Sequence, residues 1–218
     1  MKWTQKGFTL VEIAIVLVII GLLLGGILKG QEMITQAKIK NAIADFSGVS
    51  AAYFGYLDRY RAIPGDDAGA TRWSGAPVTT TSDRVLTGSY NAATATPEPE
   101  SRLWWDHLRR SGFISGSGTD QPQNAFNGTI GVQTGDGAAT PAAVLANASG
   151  GFTNLIMCSS NLPDKVAIAM DVQMDDGDVR TGAVRGVKNS AAITATATLP
   201  TANYEETGTN TYTLCRQF

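Results

Sequence analysis

The chain has 218 residues, a formal net charge of −2 and 43% apolar residues, which is enough material to bury a core of its own. The negative charge argues against a protein that binds nucleic acid, because phosphate contacts require clusters of Lys and Arg. With one histidine and two cysteines, the composition also offers little material for a histidine-based metal site or a catalytic dyad.

A long apolar run begins at Phe8 and ends at Leu28. As a helix, this run would span roughly 32 Å, which matches the hydrocarbon core of a bilayer. Lys2 and Lys6 precede it, and positive charge there favours a cytoplasmic N-terminus with the remaining chain exported. The run is long for a secretory signal, and no small-residue cleavage site follows it. We therefore expect a membrane helix, in which Glu12 is the residue that a plain membrane anchor does not explain.

Glu12 lies close to the start of this apolar run. A charged side chain at the centre of a membrane helix costs about 2.5–3.5 kcal/mol on insertion scales, and less near an end. A carboxylate in a membrane helix therefore indicates a function and requires a partner. The alternative is a carboxylate that simply stays among the lipid headgroups.

The stretch KGFTLVE at residues 6–12 resembles the prepilin cleavage signal of type IV pilins and type II secretion pseudopilins. The resemblance implies that a prepilin peptidase cuts after Gly7 and methylates the new N-terminal residue, Phe8. Residues 1–7 would then be the leader peptide, and Glu12 would take the fifth position of the mature chain, which this family reserves for glutamate. The resemblance is strong over the N-terminal helix and loose over the rest of the chain.

A physical argument supports a glutamate at this position. Cleavage would create a cationic amine at Phe8, at the positive end of a helix, where a nearby carboxylate is favourable. In a filament, the amine of one subunit could pair with Glu12 of a neighbour, and a subunit in the wrong register would leave both charges unpaired. The hypothesis is that Glu12 sets the register during assembly.

Four glycines lie towards the end of the run: Gly21 and Gly25 form one G-x-x-x-G pattern, and Gly26 and Gly30 form another. The pattern is compatible with close helix–helix packing. Each glycine also costs about 1 kcal/mol relative to alanine inside a helix, so the segment is a candidate for stretching or melting. Many pilins have a helix-breaking proline near this point, whereas this chain has Lys29. We favour softening of the helix over a dimerisation motif.

The pattern becomes amphipathic over residues 29–62, where apolar residues recur at steps of three and four. The first proline, Pro64, ends the helix together with the glycine that follows it. The periodic apolar positions are Ile39, Ala42, Ile43, Phe46, Val49, Tyr53, Leu57 and Tyr60.

The expected organisation is a leader at 1–7, a membrane and assembly helix at 8–28, the amphipathic half of the same helix at 29–62, and a globular head at 63–218. Four acidic residues in the first part of the head are interpreted as solvated loop residues. They are Asp66, Asp67, Glu98 and Glu100.

The head continues with a Thr-, Ala- and Pro-rich stretch at 74–101, which has little periodicity and predicts a surface loop. Residues 101–110 predict a short helix with Ser101 as its N-cap and Trp104 facing inward. His107 lies on this helix without an evident partner in the sequence, and we expect a surface or capped histidine.

The C-terminal third predicts antiparallel strands. Apolar residues alternate with small or polar ones over 166–174, the acidic sequence at 175–178 forms a turn, and 179–187 returns as a second strand. Residues 192–199 and 211–215 are further candidate strands. Strands joined by tight turns pair antiparallel. The predicted fold class is therefore α+β: a long N-terminal helix, membrane-spanning in its first half, packed under an antiparallel β-meander. The resemblance implies the same pilin-like architecture.

Asp175, Asp176 and Asp178 are candidate calcium ligands, because carboxylate oxygens crowded on a loop suit Ca²⁺. The ligand spacing of an EF-hand loop is absent, however, and Asp-Gly is a strong hairpin signal. The expectation is therefore a chain without a cofactor, with calcium at these three aspartates as the alternative.

Cys158 and Cys215 fit an exported protein. In an oxidising periplasm such a pair predicts a disulfide, which would tie down the C-terminal strand; two free thiols are the alternative. Many pilins hold their C-terminal region with such a bridge, so the resemblance implies the same pairing.

The sequence offers no motif for catalysis, since G-x-S-x-G, G-x-x-x-x-G-K-[ST] and H-E-x-x-H are all missing. We therefore expect a protein that is not an enzyme. A single-pass anchored enzyme or binding domain is the alternative from a different class.

The resemblance implies a structural subunit of an extracytoplasmic helical filament of the type IV pilus kind. Such a chain is an inner-membrane precursor, is cut by prepilin peptidase, and is added to a homo-oligomer by an inner-membrane assembly platform. The filament then extends through the periplasm to the cell surface, and no nucleic acid is expected as a partner. The alternatives are a pseudopilin of a type II secretion system and a minor or tip adhesive pilin.

Overall fold

The computed structural model describes residue 7 and residues 9–79, 81–189, 193–197 and 199–218. Residues 1–6 of the expected leader and the expected methylation site, Phe8, lie outside the described residues. The chain divides into two compact units, Met1–Lys38 and Ile39–Phe218.

The long N-terminal helix is α1, which runs from Leu10 to Tyr60. Its part in the first unit is long enough and apolar enough to cross a membrane, and none of its most apolar stretch is buried within the chain. Its apolar side chains point outward on every side of the helix. A helix that is apolar all round requires lipid or other protein as its surroundings.

The four glycines of this run do not interrupt α1, which is α-helical through all of them. A Cβ atom added at any of these positions would meet nothing within 4 Å. The described chain therefore gives no steric reason for glycine at Gly21, Gly25, Gly26 or Gly30. The predicted softening of the helix stays a prediction.

In the second unit, α1 contributes one buried stripe to the core of the head. The buried positions are Ile39, Ala42, Phe46, Val49, Ala52 and Tyr56.

The first four of these positions follow the periodicity of the sequence. The stripe then continues through Ala52 and Tyr56, whereas Tyr53 and Leu57 of the predicted stripe are half-buried. Burial of the Tyr56 ring is favoured because its hydroxyl finds a buried hydrogen-bond acceptor, Asp67.

Among its described residues, the head contains two further α-helices and six strands, together with a short 3-10 helix at Ala68–Arg72. The α-helices are α2 at Glu100–Arg110 and α3 at Asp164–Met174. The strands are β1 at Ile130–Thr134, β2 at Val144–Asn147, β3 at Gly150–Phe152, β4 at Leu155–Pro163, β5 at Val184–Lys188 and β6 at Thr211–Gln217.

Four of the strands form one antiparallel sheet in the order β1-β4-β6-β5, and β2 pairs with β3 in a separate antiparallel hairpin. The predicted α+β class with an antiparallel sheet is confirmed. The predicted meander is wrong in its strand order, because the C-terminal strand β6 pairs with both β4 and β5 and so occupies an inner position.

The four-stranded sheet is buried on both faces, and β4 shows why. Leu155 and Met157 belong to the core that includes α1, α2 and α3, whereas Ile156 and Cys158 belong to a second core that includes β2 and β3. Side chains of successive residues in a strand point to opposite faces. The unbroken burial of these four residues therefore marks a strand with protein on both sides.

The predicted strand at 166–174 is wrong, because these residues form α3. Two of the four residues that alternate here with larger apolar ones are Ala167 and Ala169, and alanine is itself apolar and the best helix former, so the pattern fits both periods. The residues that are buried, Val166, Ala167, Met170 and Asp171, follow the helical steps of three and four.

Two other strand predictions need correction. Of residues 179–187, only the part from Val184 onward is a strand, and it extends to Lys188. No strand is found at 193–197 or at 199, the described part of the predicted strand at 192–199. Ile193 is nevertheless buried in the second core, so the apolar signal there reflects burial without sheet pairing. The strand predicted at 211–215 is present as β6.

Candidate functional site

The processing signal is described at Gly7 and from Thr9 onward. The backbone N–H and the hydroxyl of Thr9 both donate to Glu12 Oε2, each at 2.8 Å. In return, the backbone N–H of Glu12 donates to Thr9 Oγ1 at 3.3 Å. This reciprocal pair is a capping box, in which a Thr before the helix and a Glu three residues later satisfy each other's backbone donors.

The capping box gives Glu12 a local partner that the sequence interpretation missed, although the T-x-x-E spacing that signals it is present. The carboxylate remains exposed, and it lies at the helix end where the backbone dipole favours negative charge. The arrangement therefore supports the start of α1 and leaves Glu12 accessible to a cation from outside the chain.

The second group of charged residues lies under the C-terminal end of α1 and centres on Asp67. The Tyr56 hydroxyl donates to Asp67 Oδ2 at 2.6 Å, and Arg72 Nη1 donates to the same oxygen at 2.8 Å. The other oxygen, Oδ1, accepts from Gly69 N at 2.8 Å. Burial alone would raise the pKa of Asp67, but the bonds from Arg72 and Tyr56 outweigh it and hold that pKa below its ordinary value.

Asp66, the neighbouring carboxylate, is also buried and accepts from Arg84 N. Burial raises the pKa of Asp66 to about 6 in spite of this bond, and the negative charge of Glu100 adds to the rise. Its second oxygen, Oδ1, has no hydrogen-bond partner within the described residues.

His107 is fully buried, so the prediction of a surface position is wrong. Gly65 N donates to Nδ1 at 2.9 Å, and Nε2 lies 3.1 Å from the carbonyl oxygen of Pro77. Because a carbonyl only accepts, Nε2 carries a proton, and because Nδ1 accepts from Gly65 N, it carries none. The ring is therefore neutral. Burial lowers the pKa of His107, which keeps it neutral.

Gly65 is required at this contact. Its φ is +85°, and a Cβ there would lie 2.3 Å from the backbone oxygen of Glu100.

Glu100 and Glu98 are likewise not solvated, which corrects the prediction for these residues as well as for Asp66 and Asp67. Glu100 is buried and accepts from the hydroxyls of Thr79, Thr81 and Thr87. Glu98 forms an ion pair with Arg102. The Thr-rich loop supplies hydroxyl donors that offset the desolvation cost of burying Glu100. Such pairing between distant residues leaves no periodic signal in the sequence.

The two cysteines are joined by a disulfide, in agreement with the sequence-based expectation. Cys158 on β4 faces Cys215 on β6 in the sheet register, and both are fully buried in the second core. The bridge therefore fastens β6, an inner strand, to its neighbour.

Of the three calcium candidates, the structure brings two together and separates the third. Arg180 binds both carboxylate oxygens of Asp178, at 2.8 Å and 2.6 Å. Asp175 and Asp176 instead approach Asp171 of α3, and one oxygen from each of these three residues lies within 4.8 Å of the others. Asp171 was missed because its segment was assigned to a strand. In a helix, the spacing between Asp171 and Asp175 would have placed both on one side.

A comparison with protein families gives a match to the family model described as the prokaryotic N-terminal methylation motif, over residues 4–28. No match was found among curated proteins. The motif and the exposed apolar helix indicate a structural, pilin-like precursor, processed by a prepilin peptidase and anchored in the inner membrane, rather than an enzyme. The chain carries the prepilin-type methylation signal of type IV pilins and pseudopilins.

Proposed function

We propose that the chain is a structural subunit of an extracytoplasmic helical filament of the type IV pilus kind. The observation that carries the proposal is a methylation motif followed directly by a helix whose apolar side chains are exposed all round. Burying one large apolar side chain is worth about 1.5–3 kcal/mol, so a stretch of this length is not stable in water. It requires lipid before assembly and neighbouring copies of itself afterwards.

The proposed route begins with cleavage between Gly7 and Phe8 and methylation of the new terminus by prepilin peptidase. An inner-membrane assembly platform then adds the mature chain to a homo-oligomer that reaches the periplasm and cell surface. In this filament, the amine of one subunit pairs with Glu12 of its neighbour. The exposed Glu12 carboxylate, next to a helix start, supports this role.

The four glycines are proposed to soften α1 during assembly. The support is that each glycine lowers helix stability by about 1 kcal/mol relative to alanine, while no described atom of the chain requires glycine at these positions. A dimerisation surface on the same residues is the alternative.

Imaging of cells that lack this chain tests the proposal. Loss of surface fibres is expected for a filament subunit, and re-expression should restore the fibres. Intact fibres with a loss of secretion would indicate the second candidate, a pseudopilin of a type II secretion system. Fibres that form but no longer adhere would indicate a minor or tip adhesive pilin. Normal fibres, secretion and adhesion would contradict all three assignments.

A further inference from the structure

A cleft in the second unit combines aromatic rings with polar side chains. Its volume is about 290 Å³, near the lower end of the roughly 300–1,000 Å³ that is typical of ligand sites. The lining includes the rings of Tyr53, Phe54 and Phe218 and the polar side chains of Arg84 and Asn154. Ligand sites are commonly apolar clefts in which a few polar groups fix the orientation of the ligand, and this cleft has that composition.

The aromatic part of the cleft is packed and partly exposed. The ring centroid of Tyr53 lies 5.1 Å from that of Phe218 and 5.0 Å from that of Phe54. The buried ring of Trp104 stacks on the ring of Tyr53 at 5.2 Å, which fixes the position of Tyr53. Phe54 is 52% exposed. An exposed ring at the wall of a cleft offers a surface on which the apolar face of a ligand can stack.

The polar groups of the cleft are not engaged by other described residues. Arg84 is exposed and forms no ion pair with them. Among the same residues, neither the side-chain amide of Asn154 nor the hydroxyl of Tyr53 has a hydrogen-bond partner. Arg84 and Tyr53 are close enough to interact: burial raises the pKa of Tyr53, and the positive charge of Arg84 partly offsets this rise. The cleft therefore presents a cation, an amide and a hydroxyl to a ligand.

The backbone holds Arg84 in place. Its φ is +68°, in the left-handed region that residues other than glycine seldom adopt. The backbone N–H of Arg84 donates to the buried Asp66 at 2.5 Å, and the N–H of Leu86 donates to Thr134 Oγ1 at 3.0 Å. Backbone conformations of this kind occur often at binding sites, where the surrounding structure enforces them. A backbone that is already fixed lowers the entropic cost of placing the guanidinium against a ligand.

A second, smaller cleft repeats the arrangement. Its volume is about 140 Å³, and it shares Phe54 and Phe218 with the first cleft. Its lining includes Arg216, which is exposed and has no ion-pair partner in the part of the chain that the structure describes. Each cleft thus has one arginine, and the two aromatic rings are common to both. A ligand with repeated negative charges can contact both arginines, which a single small anion cannot.

We propose that these two clefts bind an acidic polysaccharide. A pyranose ring has a C–H face that stacks on aromatic rings and hydroxyls that can bond to Asn154 and Tyr53, and in a uronic acid its carboxylate can pair with Arg84. A purely apolar ligand would leave these polar groups unpaired. Single-stranded nucleic acid requires a continuous positive groove, which two arginines on a chain of net charge −2 do not provide. The proposal goes beyond the filament role and does not depend on it.

The test is titration of tetragalacturonic acid into the full-length chain by isothermal titration calorimetry, in micelles of a detergent without a sugar headgroup. Neutral maltotetraose and anionic oligothymidylate of the same length are titrated in parallel. We expect saturable binding of tetragalacturonic acid, at least tenfold tighter than that of the other two ligands and weaker at higher salt.

Variants of the lining residues locate the binding. Arg84→Gln and Arg216→Gln should each weaken binding of tetragalacturonic acid at least fivefold, and Phe54→Ala should weaken it as well. Arg59→Gln is the matched control and should bind like the unchanged chain, because Arg59 is an exposed arginine of α1 that lines neither cleft. Should an arginine variant not fold, Phe54→Ala takes its place, since the exposed ring of Phe54 contributes least to the core.

The proposal fails if millimolar tetragalacturonic acid gives no heat or if maltotetraose binds equally well. It also fails if Arg59→Gln weakens binding as much as Arg84→Gln, because the attraction would then be unspecific. Tighter binding of oligothymidylate that depends on Arg84 would overturn the proposal in favour of nucleic acid. Self-association of the chain that is lost in Phe54→Ala, without saccharide binding, would overturn it in favour of a second copy in the cleft.

Discussion

The apolar part of α1 and the head differ in which side chains they expose and which they bury. In the apolar part, nearly every side chain is of one kind and is exposed, so sequence composition alone determines what surroundings it needs. In the head, the residues that matter most are polar and buried, among them Asp67, Glu100 and His107. Their roles depend on specific partners, which for Glu100 and His107 lie 13 to 42 residues away in the sequence.

The comparison shows where a single charge is informative. A carboxylate in a uniformly apolar run indicates a function by its presence alone. In the head, a carboxylate can equally be solvated, bonded or part of a metal site, and only the three-dimensional contacts decide. Replacement of single residues in each region separates these two cases or shows that the distinction is wrong.

Replacement of Glu12 has the largest expected effect. Glu12→Gln keeps an oxygen that can accept from Thr9 and so keeps the capping box, but it removes the charge. If the charge pairs with a neighbour's amine, filament assembly should be lost. Thr9→Ala removes the hydroxyl contacts and keeps the charge, so it should assemble. Counting of fibres by electron microscopy, with the amount of processed chain in the membrane as control, measures both.

The opposite result would reverse the assignment of Glu12. Normal fibres with Glu12→Gln and defective fibres with Thr9→Ala would mean that the glutamate serves to cap its own helix. The apolar part of α1 would then resemble the head, with a charge explained by contacts within the chain.

Removal of the disulfide has the next largest effect, and it acts on stability. The Cys158→Ala, Cys215→Ala double variant opens a loop that spans 57 positions. In the chain-entropy model, such a cross-link stabilises the folded state by about 4 kcal/mol. Denaturant unfolding of the head, followed by tryptophan fluorescence, should show a loss of this size. A loss below about 1 kcal/mol would mean that β6 is held by its sheet pairing instead.

Asp67→Ala should cost about 3 kcal/mol, because it removes the acceptor of the buried Tyr56 hydroxyl and the partner of Arg72. Tyr56→Phe is the matched variant, since it removes one hydroxyl and leaves the ion pair; about 1 kcal/mol is expected. Equal losses of free energy of unfolding for the two variants would show that the Arg72 pair contributes nothing.

These variants also mark the limit of what the sequence predicts. The end of α1 follows from periodicity and from Pro64, and α2 lies where periodicity predicts it, because those signals are local. The predicted N-cap of α2 is wrong, since Ser101 lies inside the helix and Pro99 is the N-cap. The partner of Glu12 was local too, in the T-x-x-E spacing. By contrast, the burial of His107 depends on contacts with Gly65 and with a proline carbonyl, which no local pattern encodes.

The error at 166–174 has a related cause. Ala167, Ala169, Asp171 and Gln173 stand at every second position, which satisfies a strand pattern, but the two alanines are also apolar and favour a helix. Asp171, buried at 0% exposure, was therefore placed on the outer side of a strand. Because the segment was given the period of a strand, Asp171 was predicted to be exposed, and its proximity to Asp175 and Asp176 was not recognised.

A pH-dependent effect of smaller size is expected at Asp66. Its pKa is about 6 in the folded head, against about 3.9 in an unfolded chain. An acid with a raised folded pKa binds protons more tightly when folded, so its destabilising effect is absent below about pH 4 and complete above about pH 7. Asp66→Asn should therefore stabilise the head by about 1–2 kcal/mol at pH 7.5 and have no effect at pH 4.

The measurement at Asp66 is the difference in free energy of unfolding between the variant and the unchanged chain at each pH. Asp67 and His107 both have lowered pKa values in the folded head, so both make the head less stable as the pH falls, opposite to Asp66. Because both residues are present in the variant and in the unchanged chain, their contributions cancel in the difference. A difference that does not change with pH would show that Asp66 remains charged when buried.

The smallest effect on a subunit, and the sharpest contrast between regions, is expected from glycine replacement in α1. Gly25→Ala and Gly48→Ala each add a methyl group that meets nothing within 4 Å. Each should stabilise the helix by about 1 kcal/mol or less. If softening of the apolar part serves assembly, Gly25→Ala should slow fibre formation, whereas Gly48→Ala, in the head, should not. Equal fibre yields would contradict softening. Amide hydrogen exchange in micelles measures the flexibility of the helix. If Gly25→Ala reduces fibre formation without slowing this exchange, a helix-packing role for Gly25 is favoured instead.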